Sequence, residues 1–221
     1  MTSQLKLILP ITALLLGACK TIDSEKSVEL GRNYLQHEQW QKAADVVSPV
    51  VEAAPGNWRA QLVFGQAQAA LGNLPAAKSA LERAYDADPR NEEAIYALAD
   101  VLFRQENSTA LFGLLRSAGQ KLHSAVAYVK LAEYAMRLND LDSAKAAIQS
   151  AIEVDDGFSR PRTDTPYYAA AVLERRAGSK DTAIRRLRQA YGINPVDERV
   201  LYALRELGVE IGPNTALPPG I

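Results

Sequence analysis

WRAQLVFGQAQAALGNLPAAKSALERAYDADPRN, residues 58–91, holds in 34 residues a glycine, an alanine-rich second half and a closing proline. Gly65 is the eighth residue of the block, Ala77 the twentieth, Leu81 the twenty-fourth, Ala84 the twenty-seventh and Pro89 the thirty-second. The pattern returns in phase along the chain. Residues 24–57 place Gly31, Ala43, Val47, Val50 and Pro55 at those positions, and residues 164–197 place Ala171, Ala183, Leu187, Ala190 and Pro195 there. Residues 125–158 give Ala132, Ala144, Ile148 and Ala151, with Asp156 where the proline belongs. Residues 92–124 are degenerate: Ala99 fits, but Leu111 stands at the twentieth position and the block is one residue short of 34. Its second helix is expected near 109–118, interrupted by Gly113 and ended by Gly119. A repeat of this period is one supersecondary unit that buries its apolar face against the next unit.

The spacing resembles the tetratricopeptide (TPR) repeat. That resemblance implies an all-α fold, a right-handed superhelix (α-solenoid) of about five helix pairs plus a C-terminal capping helix. At positions 8 and 20 helix A crosses helix B, where only Gly or Ala permits close approach. The proline at position 32 ends helix B because it offers no N–H to the ladder. The TPR domain is expected over 24–208, with a capping helix at 198–208 whose Val200, Leu201, Leu204 and Leu207 share one face. Five extra residues, 159–163, separate the last two blocks and read as a protruding loop or an idle insertion. Gly212-Pro213 and Leu217-Pro218-Pro219-Gly220 make 209–221 an extended, mobile tail.

The 221 residues are 48% hydrophobic, 23% charged and 7% aromatic, too apolar for a disordered chain. Lys plus Arg number 25 against 26 acids, so nucleic acid is not an expected partner. A single Cys excludes a disulfide framework within the chain and any Cys-rich zinc site, and two His leave little for metal or acid–base chemistry.

Residues 1–18 read as an export signal: Lys6 precedes a ten-residue apolar run, Leu7 to Leu16, too short to cross a bilayer. Leu16-Gly17-Ala18-Cys19 resembles the bacterial lipobox, which implies lipidation (palmitate among the acyl chains) at Cys19 and a short tether over 19–23. Buried methylenes contribute about 0.8 kcal/mol each, so a multiply acylated Cys19 holds a protein on a membrane. Lys20 in the next position implies, by the same resemblance, the outer membrane of a Gram-negative envelope, facing the periplasm.

No phosphate-cradling loop, nucleophile elbow or zinc-protease motif occurs, and no cofactor, metal or catalysis is expected. Binding is the expectation for stacked helix pairs. In the family, helix A lines the concave groove through positions 2, 5, 9, 12 and 13. Carried over, these give Arg32 and Gln36 in the first block, Arg59 and Gln66 in the second, and Tyr96, Asp100, Phe103 and Arg104 in the third. Glu133, Met136 and Arg137 follow in the fourth, with Tyr168, Arg175 and Arg176 in the fifth. Tyr96, Phe103, Met136 and Tyr168 are the expected apolar anchors. The Lys and Asn of the carboxylate clamp in chaperone-binding TPR domains are missing.

Arg104, Arg137 and Arg176 recur at position 13, as a basic column for an acidic segment or as cations opposing the dipole of their own helix. Residues 159–199 carry 9 basic and 5 acidic side chains, a docking surface or an ordinary solvated helix pair. Fold and anchor together resemble the TPR lipoproteins that assist type IV and Flp-type pilus assembly. The resemblance implies a scaffold that binds an envelope protein subunit or peptide segment in its groove. A barrel-assembly subunit, a peptidoglycan-enzyme adaptor and a periplasmic holding chaperone are the alternatives.

Overall fold

The computed structural model describes residues 23–157 and 161–220. Residues 1–22, which hold the expected export signal and Cys19, residues 158–160, which include the first two of the insertion, and residue 221 lie outside the described residues. Each block folds as a helical hairpin. The first is α1 (Ser24–Gln36) and α2 (Trp40–Ala53), the second α3 (Trp58–Ala70) and α4 (Leu74–Ala87), the third α5 (Glu92–Arg104) and α6 (Ser108–Leu122). Then come α7 (Ala125–Arg137) with α8 (Leu141–Val154), α9 (Thr165–Arg176) with α10 (Lys180–Ile193), and α11 (Glu198–Glu206). The chain is an all-α solenoid with a terminal cap: Val200, Ala203 and Leu204 of α11 are buried.

Local chemistry sets the boundaries. Asp23, Asn57, Asn91 and Ser124 each accept a backbone N–H three residues on, capping α1, α3, α5 and α7. Every turn from helix A to helix B passes through one residue with positive φ at position 15: Glu38 at 57°, Gly72 at 85°, Glu106 at 58°, Asn139 at 61° and Gly178 at 81°. The same paired hydrogen bonds close each turn, as in Glu106 N–H to the Phe103 carbonyl at 3.0 Å and Asn107 N–H to the Leu102 carbonyl at 2.9 Å. L-residues meet a steric penalty in that region. Replacing exposed Glu106 with glycine is therefore expected to raise stability by about 0.5–1 kcal/mol, read by thermal unfolding.

Close packing at position 8 follows the sequence reading. A Cβ on Gly65 would stand 2.6 Å from Leu81 Cγ and 3.3 Å from the Ala77 carbonyl, and one on Gly31 would stand 2.7 Å from Val47.

The third block departs from expectation. Its helix α6 is neither broken by Gly113 nor ended at Gly119; it runs 15 residues to Leu122. Gly113 faces open space, whereas Gly119 is buried against the Tyr128 ring, where a Cβ would stand 2.7 Å from ring carbons, so here glycine serves packing inside a continuous helix. His123 takes the left-handed conformation at position 32 and Ser124 at once caps α7, which accounts for the missing residue.

Successive A helices pack on one another from α1 to α3 to α5 and again from α7 to α9, which puts them on the inside of the curve. Between α5 and α7 that packing thins, and the Phe103 ring bridges to Tyr134 at 5.0 Å.

The tail corrects another expectation: it is strapped along α10. Leu217 N–H donates to the Arg188 carbonyl at 3.0 Å, and Thr215 is only 4% exposed. The insertion is also tied down, since Arg162 donates to the Asp156 carbonyl at 2.8 and 3.1 Å and to the Tyr167 hydroxyl at 3.2 Å.

Candidate functional site

The first three A helices enclose a cleft of about 540 Å3. Helix α1 contributes Arg32, Leu35 and Gln36; α3 contributes Gln66, Ala69 and Ala70; α5 contributes Glu93, Ala97, Asp100 and Arg104. Trp40, from the start of α2, closes one end. The small Ala69, Ala70 and Ala97 leave the space, and Leu35 and Trp40 make part of its wall apolar.

A polar network crosses the cleft. Arg32 lies 3.6 Å from Glu93, and Gln66 Nε2 donates to the same carboxylate at 2.9 Å, tying α1, α3 and α5 together. Arg104 sits 4.0 Å from Asp100 and donates to the Ala69 carbonyl, at the end of α3, at 2.7 Å. Such exposed pairs contribute at most about 1 kcal/mol, so a ligand's own charges can recruit Arg32 or Glu93 at little cost.

The structure thus brings together five of the expected groove residues, Arg32, Gln36, Gln66, Asp100 and Arg104. Arg59 lies apart, over the Trp58 ring at 5.3 Å, in a second cleft of about 720 Å3 between α1 and the start of α3. The apolar anchors are largely withdrawn. Met136 is 7% exposed and belongs to the core, a correction to its place in the groove. Phe103 is half-buried beneath the Arg137 guanidinium at 4.2 Å. Tyr96 is half-buried, its hydroxyl beside Ser124 and Glu92 without hydrogen-bond geometry, and burial raises its pKa. Tyr168 is covered by the Arg199 guanidinium at 5.0 Å. Glu133 pairs with Lys130 at 3.0 Å on the surface.

The arginine column has a structural use: each member reaches back to the preceding repeat. Arg104 meets the Ala69 carbonyl, Arg137 covers Phe103, and Arg176 donates to Asn139 Oδ1 at 3.2 Å. Helix-end cations thus brace the neighbouring helix end as well as their own. The basic stretch is similarly engaged. Arg175 pairs with Glu206 at 3.4 Å, Arg199 with Asp197 at 2.6 Å, and Arg186 and Arg188 hold the tail. Trp40 and Ala97 are cleft residues outside the groove positions used in the sequence reading, and only Trp40 left a signal. That signal was a lone tryptophan at the A-to-B turn, where the other blocks carry Leu74, Ser108, Leu141 and Lys180.

At the far end, buried Asp164 accepts from Asn194 at 3.3 Å and neighbours Asp197. Burial first, then the Asp197 carboxylate, raises the Asp164 pKa; the Arg199 guanidinium holds Asp197 well below the usual range. The folded protein binds the Asp164 proton more tightly than the unfolded chain does, so ionising it as pH rises above the ordinary 3.8 removes stability. The depressed Asp197 acts oppositely, contributing stability above the ordinary value and losing it as pH falls. Asp164→Asn is expected to exceed the wild type in stability near pH 7, with the difference vanishing near pH 4, in denaturant unfolding at both.

Stacked helix pairs with a ligand-sized cleft on their inner face define a helical-repeat binding scaffold. The chain belongs to the tetratricopeptide repeat family, which matches residues 28–92, 62–110 and 129–204. Among solved structures it is similar to TTC0263, a thermophilic TPR protein of Thermus thermophilus, with 17% identity, a TM-score of 0.56, and coverage of 83% of this chain and 98% of that one. It is similar also to YrrB, described as a TPR protein with an unusual peptide-binding site (19% identity, TM-score 0.54, 84% and 94% covered). A third neighbour is MamA (19% identity, TM-score 0.57, 86% and 98% covered). At these identities the likeness is one of fold. No curated protein is a significant match to the chain.

Proposed function

We propose that this protein is a non-catalytic, lipid-anchored TPR adaptor of a Gram-negative envelope that holds an extended segment of an envelope subunit in its concave cleft. The observation that carries the reading is the cleft between α1, α3 and α5, where small apolar walls meet loosely paired Arg32, Glu93 and Arg104. An extended peptide suits it, supplying main-chain groups for Gln66 and the charges and a small side chain for the alanine floor. The YrrB structure is described as having a peptide-binding site, in keeping with that use of the fold. Cys19 in its lipobox-like setting supports attachment to the outer membrane, facing the periplasm, and Lys20 supports that choice of membrane. Anchoring raises the local concentration of the scaffold beside a machine without any new contact. Resemblance to the pilus-assembly lipoproteins favours a pilus or secretion system as that machine.

Crosslinking in intact cells, detergent extraction and mass spectrometry test this, with a Cys19→Ala chain as control. Recovery of a pilus, secretin or barrel-assembly subunit with the anchored chain alone supports the reading and identifies the machine. A scatter of unrelated envelope proteins, unchanged by loss of Cys19, would replace it with a holding chaperone. Ala70→Trp fills the cleft from an exposed position. It is expected to cut partner recovery about tenfold or more with an unchanged melting temperature; undiminished recovery would move the binding surface elsewhere.

A further inference from the structure

Residues 214–220 lie on α10 in a manner that is itself a form of peptide recognition. Arg188 donates through Nε to the Thr215 carbonyl at 2.9 Å and through Nη2 to the Asn214 carbonyl at 2.6 Å. Gln189 Nε2 donates to the Pro218 and Gly220 carbonyls at 3.2 and 3.3 Å, and Arg186 Nη1 to the Gly220 carbonyl at 3.0 Å. A Cβ on Gly192 would stand 2.5 Å from the Leu217 carbonyl oxygen, so the strand approaches as closely as a bare glycine permits. Side chains of the strand take no part in these bonds. The face reads main-chain carbonyls.

We propose that the α10 face carrying Arg186, Arg188, Gln189 and Gly192 is a second peptide-binding site, separate from the concave cleft, for an extended, proline-containing segment, and that residues 214–220 fill it in cis. The ligand class follows from donor and acceptor chemistry. Arginine offers only donors, and proline-rich backbone offers carbonyls while lacking N–H groups. Two N–H groups of the segment are in use: Thr215 N–H bonds within the tail to the Gly212 carbonyl at 3.0 Å, and Leu217 N–H reaches α10, meeting the Arg188 carbonyl at 3.0 Å. Proline also reduces the entropy lost on docking an extended strand. The cis occupant uses the site incompletely, since Arg186 Nε is buried without a hydrogen-bond partner among the described residues. A partner segment that supplies one more carbonyl has that donor to gain.

The test uses the full chain with Thr215→Arg and Leu217→Arg, which put charged side chains in place of a buried and a half-buried one beside Arg188 and so expel the tail. A labelled peptide with the natural sequence of residues 212–220 is titrated by fluorescence anisotropy. Saturable binding to the released chain is expected, about tenfold or more tighter than to the wild type, whose tethered tail competes at high effective concentration. Arg186→Ala with Arg188→Ala in the released chain should abolish binding, and Ala70→Trp should leave it unchanged, which separates this site from the cleft. Gly192→Ala in an otherwise natural chain should expose the Leu217 amide to hydrogen exchange and still fail to bind the peptide. A released chain of wild-type helicity that binds nothing, or binds equally well without both arginines, overturns the proposal. So does loss of peptide binding on Ala70→Trp.

Discussion

Leu111→Ala is expected to lower stability by about 3 kcal/mol, although it restores the small residue that the repeat pattern places at position 20. In the second block, Ala77 at that position lets α3 and α4 close until Gly65 has no room for a Cβ. In the third block α6 packs less closely on α5, and fully buried Leu111 occupies the wider space in one cluster with Ile95, Ala99 and Leu115. Helix α6 is not free to slide inward, because Gly119 is locked against Tyr128 and His123 and Ser124 lead directly into α7. Removing the isobutyl group thus leaves a cavity, and the loss exceeds anything gained from alanine's helix propensity. Urea unfolding of the two proteins decides the matter. A variant as stable as the wild type would mean that the α5–α6 spacing follows the residue at position 20 and that the third block is degenerate in sequence alone.

The helix pairs were legible because close approach leaves a mark on composition. Gly31, Gly65, Ala99, Ala132 and Ala171 stand at one position and Pro55, Pro89 and Pro195 at another, and each has a local steric cause. The left-handed turns were not legible. Gly72 and Gly178 occupy position 15 in phase, but Glu38, Glu106 and Asn139 hide the rule by adopting the same conformation under tertiary constraint. The candidate site was half legible. Position 9 or 13 gathers Arg32, Gln66, Asp100 and Arg104 around the cleft, since these face along the inner surface of the helix row. Position 5 fails, because Val28, Leu62 and Val129 are buried, and Met136 at position 12 fails with them. Whether such a side chain points into the groove or under the neighbouring helix depends on the stacking between repeats, a distance no single block encodes. The arginines show the same limit: charge along the sequence left a docking surface and an ordinary solvated helix pair both open, and space sets these arginines against Asn139, Glu206, Asp197 and the tail.

Tyr167→Ala is expected to cost about 3–5 kcal/mol, and to act on one end of the molecule. Among the described residues Tyr167 is the largest side chain that is fully buried, at 0% exposure. It sits in α9, and its hydroxyl accepts from Arg162 at 3.2 Å, the same guanidinium that holds the Asp156 carbonyl and so pins the insertion. Tyr167→Phe keeps the ring and loses that hydrogen bond, for an expected cost near ~1 kcal/mol. The gap between the two variants separates filled volume from the tie to the insertion. In a repeat array each unit contacts only its neighbours, so damage in α9 spreads first to α7, α8 and α10, and through α10 to α11. Native-state hydrogen exchange is therefore expected to show lost protection over α9 to α11 and retained protection over α1 to α4. The buried clusters around Val47 and Val63 and around Ala43 and Ala67 stand separately from the large cluster that contains Tyr167. Because the cleft is built on α1, α3 and α5, a Tyr167→Ala chain should keep its partner there while losing the α10 peptide site. Equal loss of protection along all the helices would instead make the solenoid one cooperative unit, with the cleft and the tail site failing together.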